Sequence, residues 1–362
     1  MTVIEDVHAD HGAAFVERGG RRVVATYGRT ERTHRAVRNG VGVVELGSGV
    51  VEVTGEDRVE FVDNAVSNRV PDEDGRGAYC LLLDPQGRIE ADLYVYNAGE
   101  RLLLFCPPDR AGPIADDWRG KTFIQDVSIR VATDDLAVFG VHGPSATEKI
   151  ASVLNRAGAP EPALTFVRGS MGDAGVTVIA GDGLAGEEGY EVICAADAAA
   201  EVFDTLVNHG MNAVPFGYET WDSLTLEAGT PLYETELRGR VPNVAGVRNA
   251  LDFEKGCYVG QEVVSRVENR GRPSKRLVGL ACDAVPESGA AVLSDGSAVG
   301  EVTRGAEGPS HGGPIALAYV PFDFDGDPTV RIDGEERGAR AVDLPFVEGS
   351  ARSARLPTYP DG

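Results

Sequence analysis

The chain has 362 residues, 42% of them hydrophobic, and a formal net charge of −23. That length can bury more than one core and sets a prior of two or three domains, while the apolar content excludes general disorder. Only four lysines (Lys121, Lys149, Lys255, Lys275) stand beside 30 arginines, and so acidic a surface repels phosphate backbones and anionic membranes.

The same balance suits a protein kept soluble in concentrated salt, where the Debye length falls to about 3 Å at 1 M, so a halophilic source is expected. The five cysteines (Cys80, Cys106, Cys194, Cys257, Cys282) are odd in number and never form C-x-x-C, which points to a reducing compartment. No signal peptide is read at the acidic N-terminus, and no apolar run approaches the roughly 20 residues of a membrane helix. A cytoplasmic location is expected.

Residues 3–18 place Val7, Phe15 and Val16 near helical spacing and predict an amphipathic helix. His8 and His11 share one face of it, as a two-ligand metal hint or as capping and solvated histidines. Strands are predicted at 22–27, 42–46 and 50–54, and helices at 33–38 and 56–65. Residues 77–83 and 89–96 are strands joined by the turn Asp84-Pro85-Gln86-Gly87, and 102–106 is a third. Asp92 interrupts the apolar and aromatic register of the second, so it is either exposed at an edge or held for a purpose.

A buried strand at 136–144 ends at Gly143-Pro144, ahead of a helix at 145–157 that Ser145 can cap. His142 beside the break reads as structural. A strand at 176–180 leads into Gly186-Glu187-Glu188-Gly189-Tyr190-Glu191-Val192, which taken alone is a solvated turn and strand. Helices follow at 198–208 and 217–227, the second with Trp221 and Leu224 facing inward.

The densest chemistry lies in the octet Lys255-Gly256-Cys257-Tyr258-Val259-Gly260-Gln261-Glu262. Its glycines suit a sharp turn or a close backbone approach. Residues 261–267 either start a helix or continue as a strand. In a helix, Cys257 sits ahead of the positive end and two residues from Lys255, and both would lower its thiol pKa. The alternative is a buried, inert cysteine. Beyond Pro273, short strands at 277–280, 291–293, 298–302, 315–320, 330–332 and 340–342 predict a small β-barrel, and 347–362 a frayed tail. No internal repeat, phosphate loop, nucleophile elbow or metal triad is found.

The octet, with Arg266 and the Arg270-Gly271-Arg272 turn before Lys275-Arg276, resembles the signature of the YgfZ-type folate-binding proteins. Those belong to the superfamily of the glycine-cleavage T-protein, an aminomethyltransferase. Tyr27-Gly28, then H-x-A-V-R-x-x-V-G-V and V-x-V-T-G-x-D-x-x-x-F, resemble the T-protein's opening. The resemblance implies an α+β, three-lobed ring: one lobe from 1–48 with 137–220, a second from 49–136 with 221–272, a barrel at 273–346 and the tail. It also implies tetrahydrofolate, or a one-carbon derivative, in the central opening between Asp92 and Glu187.

Residues 87–93 match G-x-x-x-x-D-L, whose aspartate in T-proteins lies against the reacting folate nitrogens. The resemblance therefore gives Asp92 a catalytic role, and the octet gives one to Cys257. Glu187, in a match to G-E-x-G-[FY]-E, is assigned to the pterin's amino group and ring N–H, which one carboxylate can accept together, with Tyr190 packed nearby. Thr225 stands where T-proteins carry the arginine of L-R-L-E-A-G that meets the folate glutamate; Arg238, Arg240 or Arg248 are candidate substitutes.

Two functions follow from the resemblance. The octet favours a tetrahydrofolate-binding protein of the YgfZ type, supporting assembly or maintenance of iron–sulfur client enzymes. Asp92 favours a one-carbon transferase close to the T-protein, with a lipoyl carrier protein or a methylated amine as donor. A third idea, an RNA-modifying enzyme working through residues 266–276, runs against the acidic remainder.

Overall fold

The computed structural model describes residues 2–269 and 271–360; Arg270 of the expected basic turn lies outside the described residues. Two sheets and a barrel surround a common centre. The first sheet has the order Phe166–Met171, Ala174–Ala180, Gly189–Ala195, Leu136–His142, Gly42–Glu45, Val214–Pro215. Its central strand is apolar on both faces because both are covered. Ala137, Phe139 and Val141 pack toward the helices through Ile150, Phe203 and Leu206. Val138, with Ile179 and Ile193, faces the other way, onto Tyr96, Phe105 and Phe166.

The second sheet has the order Arg76–Leu83, Ile89–Asn97, Arg101–Cys106, Gly49–Thr54, Ser128–Val131. Val51, Leu93, Val95 and Leu104 cover one face and meet Phe61 and Trp118, whose ring centroids lie 5.6 Å apart edge to face. Strand alternation therefore sends Asp92, Tyr94 and Tyr96 to the opposite face, toward the first sheet.

The strands Lys275–Cys282, Gly313–Pro321, Ser297–Gly308, Ala291–Ser294, Thr329–Ile332 and Glu335–Val342 close into a six-stranded barrel. Its core is Leu280, Val292, Val302, Ala316, Ala318 and Val330. The α+β class and the barrel agree with the reading of the sequence.

Four segments differ. The expected helix over 3–18 is a short helix, Glu5–Asp10, and a hairpin of Ala14–Arg18 with Arg21–Thr26. Gly12 (φ +79°), Gly19 (φ +54°) and Gly20 (φ +73°) supply the left-handed conformations that end the helix and turn the hairpin. The helix Ala111–Arg119 buries Ala111, Ile114, Ala115 and Trp118 at helical spacing, a signal that Gly112-Pro113 in its first turn obscures, and the strand Phe166–Met171 is interrupted by Arg168, Gly169 and Ser170. The tail is not frayed: Ala354 donates to the Asp182 carbonyl (2.9 Å), Thr358 to that of Gly246 (2.9 Å), and Leu277 N–H to the Tyr359 hydroxyl (2.7 Å). Among the described residues no helix is long and apolar enough to cross a membrane.

Candidate functional site

The facing sheets, the helix Tyr218–Glu227 and the π-helical turn Tyr233–Leu237 enclose a cavity of about 180 Å³. Small-molecule sites commonly start near ~300 Å³, so the enclosed part takes a ring system and leaves the rest of a longer ligand at the mouth. The second sheet contributes Asp92, Tyr94, Phe105 and Cys106; the first contributes His142, Gly189 and Glu191, and the loop between its strands Ala174–Ala180 and Gly189–Ala195 contributes Asp182. Trp221 and Tyr218 come from the helix, Tyr233 from the turn, and Arg355 from the C-terminal segment.

Asp92 is 8% exposed. Its Oδ2 accepts from Arg355 Nη1 (2.7 Å) and, at 3.5 Å, from the Tyr79 hydroxyl, while Oδ1 has no donor among the described residues. The buried Arg355 guanidinium also lies over the rings of Tyr79 (4.1 Å) and Tyr94 (5.0 Å) and donates through Nε to the Tyr94 hydroxyl (3.2 Å). Tyr94 in turn donates to Asp182 Oδ2 at 2.6 Å. One cation thus serves several acids. Burial pushes the Asp182 carboxyl up, and Arg355 and Tyr94 pull it back. The Glu191 carboxylate has no hydrogen-bond partner among the described residues. Its burial and the neighbouring Asp182 push it up to about 7, against the pull of Arg355.

Two glycines make room for the His142 ring at the cavity wall. His142 pairs with Gly189, and Gly140 pairs with Glu191, all on one face of adjacent strands. A Cβ on Gly140 would stand 2.5 Å from His142 Nε2, and one on Gly189 would stand 2.5 Å from Nδ1.

The structure redistributes the expected residues. Asp92 lines the cavity. Glu187 does not: it is 2% exposed, and its carboxylate accepts from Arg38 Nη1 (2.8 Å), Ser350 N–H (2.9 Å) and Ser350 Oγ (2.5 Å). Asp92 and Glu187 therefore do not face each other across the opening; Glu191 and Asp182 stand opposite Asp92 instead. Tyr190 is one residue out of phase with the cavity face, so its ring joins the helix-side core and its hydroxyl meets Thr147 at 2.9 Å. Thr225 is fully buried against the barrel, accepting from Arg304 Nη1 (2.9 Å), and Trp221, one turn earlier, and Tyr218 are the residues of this helix at the cavity. Arg240 and Arg248 pair with Glu301 and Glu268 and do not line it; Arg238 pairs with Asp109 and lies over the ring of Tyr233, a lining residue, at 5.8 Å.

The octet is outside the cavity as well. Lys255 turns inward, and its Nζ donates to the carbonyls of Asp63 (2.5 Å), Val66 (3.0 Å) and Asn68 (2.9 Å), closing the end of the helix Arg58–Ala65. Its ammonium is therefore committed away from Cys257, which is exposed. Tyr258 is buried in the core between the sheets, Gln261 Nε2 donates to the Lys255 carbonyl (3.2 Å), and Gly256 and Glu262 are exposed. Gly260 (φ +82°) lies against the turn of the second sheet's hairpin, where a Cβ would meet the Asp84 carbonyl at 2.7 Å. His8, of the expected histidine pair, is buried between Glu45 (2.6 Å) and the Tyr27 hydroxyl (2.7 Å).

The residues that reading the sequence missed are His142, Asp182, Glu191, Trp221 and Arg355. The G-x-E alternation of Gly189 and Glu191 was the available signal for one of them; the others depend on tertiary placement.

Comparison with known proteins agrees with this architecture. The family model described as "GCVT N-terminal domain" matches residues 4–255, and "Glycine cleavage T-protein C-terminal barrel domain" matches residues 275–348. A Streptomyces coelicolor protein named aminomethyltransferase is 32% identical, with 96% of this chain and 97% of the relative covered. A Halobacterium salinarum protein named probable aminomethyltransferase is 31% identical, with 94% and 97% covered. The crystal structure of glycine cleavage system aminomethyltransferase T from Bartonella henselae shares the fold, with a TM-score of 0.85 at 23% identity and 99% of both chains covered. Two matched family models spanning both sheets and the barrel, and relatives alike over nearly their full length, place the chain in the glycine cleavage T-protein family.

Proposed function

We propose that the chain is a tetrahydrofolate-dependent one-carbon transferase of the aminomethyltransferase kind. The observation that carries this reading is the cavity of about 180 Å³, which Asp92 lines from one sheet, Glu191 from the other and Asp182 from the loop that precedes Gly189–Ala195. The similarity to proteins named aminomethyltransferases supports transfer chemistry over a maintenance role.

The residues present fit a reduced folate. Glu191 has both carboxylate oxygens free to accept an amino group and an adjacent ring N–H together. Trp221, Tyr218 and Phe105 offer apolar and aromatic walls for a flat ring. Tetrahydrofolate, when bound, supplies the amine that takes up the one-carbon unit. Asp92, with Oδ1 free, can hold that amine and accept its proton. Its negative charge, fixed by Arg355, stands where positive charge develops during transfer, in a site with little water to screen it. The donor, an aminomethylated lipoyl arm on a carrier protein or a methylated amine, approaches from the mouth.

The test is turnover with tetrahydrofolate and an aminomethyl or methyl donor in molar KCl. The expected result is transfer by the wild-type chain that Asp92→Asn lowers by at least about a hundredfold, with calorimetric folate binding retained. Unchanged turnover in Asp92→Asn would refute the role. A second reading has its own observation, the YgfZ-like octet with Cys257 exposed. Folate binding without turnover, with loss of function in cells on Cys257→Ser, would favour a tetrahydrofolate-binding factor serving iron–sulfur enzymes.

A further inference from the structure

His142 ends the strand Leu136–His142 with its imidazole on the cavity face of the first sheet. It is 6% exposed, and among the described residues neither ring nitrogen has a hydrogen-bond partner; Nε2 is fully enclosed. No charged group acts on the ring, and burial pushes it down to about 4, so at neutral pH it carries one N–H and one lone pair. Its place is fixed by the two glycines against its nitrogens and by Trp221, whose ring centroid lies 5.0 Å away.

A buried polar group without a partner is a standing cost, and an apolar ring of similar shape would avoid it. Here the cost falls on a cavity wall, beside the other unpartnered polar side chain of the same face. His142 pairs with Gly189, so Glu191, two residues further along that strand, is its diagonal neighbour, at roughly 7 Å. A carboxylate acceptor therefore stands next to a neutral N–H donor. A 2-amino-4-oxo pyrimidine ring shows the complementary series on one edge: amino group, ring N–H, carbonyl.

We infer that His142 is a positioning and specificity residue for the ligand's ring, donating from Nδ1, the nitrogen the protein does not seal off, to the ring carbonyl while Glu191 accepts from the amino group and ring N–H. This rests on the folate reading above and adds a residue to it. The pair fixes the ring's orientation, and with it which nitrogen is presented to Asp92.

The experiment is anaerobic calorimetry in molar KCl with tetrahydrofolate and with tail-less 6-methyltetrahydropterin, on the wild type, His142→Phe and His142→Gln, with thermal melts of each. His142→Phe is expected to weaken both ligands by about the same factor, near tenfold. Its melting temperature should equal or exceed that of the wild type, because the orphaned nitrogen is gone. His142→Gln, which keeps an N–H, should recover most of the affinity. Equal affinity in His142→Phe and wild type overturns the inference while leaving the folate reading intact. A fall in melting temperature that accompanies the loss of affinity overturns it in favour of a purely structural histidine. A wild type that binds neither ligand ends the folate reading and this inference together.

Discussion

Glu191 is the side chain whose behaviour most sharply separates a ligand site from a structural one. Burial, Asp182 and the opposing Arg355 set its carboxyl near 7, above the ordinary value of 4.5; Asp92, Tyr96 and Asp182 share its surroundings and His142 stays neutral beside it. A folded-state pKa above the unfolded one favours the protonated folded protein, so this stabilising contribution is complete below about pH 4.5 and is lost as pH rises through about 7. Ligand binding needs the carboxylate and should run the other way. The melting temperature of the free protein is expected to fall between about pH 5.5 and about pH 8 while folate affinity rises, and Glu191→Gln should flatten both slopes and weaken binding at high pH. A free protein whose stability does not respond to pH in this window, or responds equally in Glu191→Gln, contradicts the assignment. Nothing in the word G-E-E-G-Y-E ranks its three acids. Family resemblance singles out Glu187, whereas strand parity relative to Gly140 and His142 brings Glu191 to the cavity, and that parity is a property of pairing between strands whose partners Gly140 and Glu191 lie 51 residues apart in sequence.

The C-terminal segment shows why composition misleads about order. Its Gly, Ser, Arg and Pro content has neither helical nor strand period, which is why it reads as a tail, yet it runs across the ring and closes the cavity. Ser350 holds Glu187, and Arg355 reaches Asp92. Its order comes from single polar contacts to distant parts of the chain, for which no local pattern exists. Removing one partner of a buried ion pair typically costs about 3–5 kcal/mol, because the remaining charge stays buried. Arg355→Ala should therefore destabilise the protein by that order in denaturant titrations in high salt. Asp92→Asn in the same background should recover part of the loss, since the stranded charge is then gone. Additive losses in the double variant would mean that the two side chains do not interact. The octet teaches the converse: its lysine and second glycine look chemical in sequence and act here as a helix cap and a close backbone approach.

At the level of the complete chain, the sheet strands and the barrel were largely legible because buried strands leave runs such as Leu102–Leu104 and Val176–Ile179 that few other structures produce. The N-terminal hairpin was not, since Phe15 and Val16 fit helical spacing until Gly12 and the Gly19-Gly20 turn are allowed to act. Charge is the remaining global property. With −23 spread over the chain, self-repulsion at about 0.1 M salt extends over a Debye length of about 10 Å and shrinks to about 3 Å at 1 M. Buried pairs such as Asp92–Arg355 are screened far less, so salt should act on the surface and leave the cavity's chemistry in place. The melting temperature should accordingly rise from 0.1 M to 1 M KCl. Folate affinity should also rise with salt, because the ligand's glutamate tail is an anion approaching an acidic protein, whereas the tail-less tetrahydropterin should show little salt dependence once the protein is folded. This is the opposite of the trend for a ligand guided by a basic patch. An affinity for tetrahydrofolate that fell as KCl was raised would show that arginines at the mouth dominate the approach, and would assign the tail a cationic path that the acid-lined cavity does not provide.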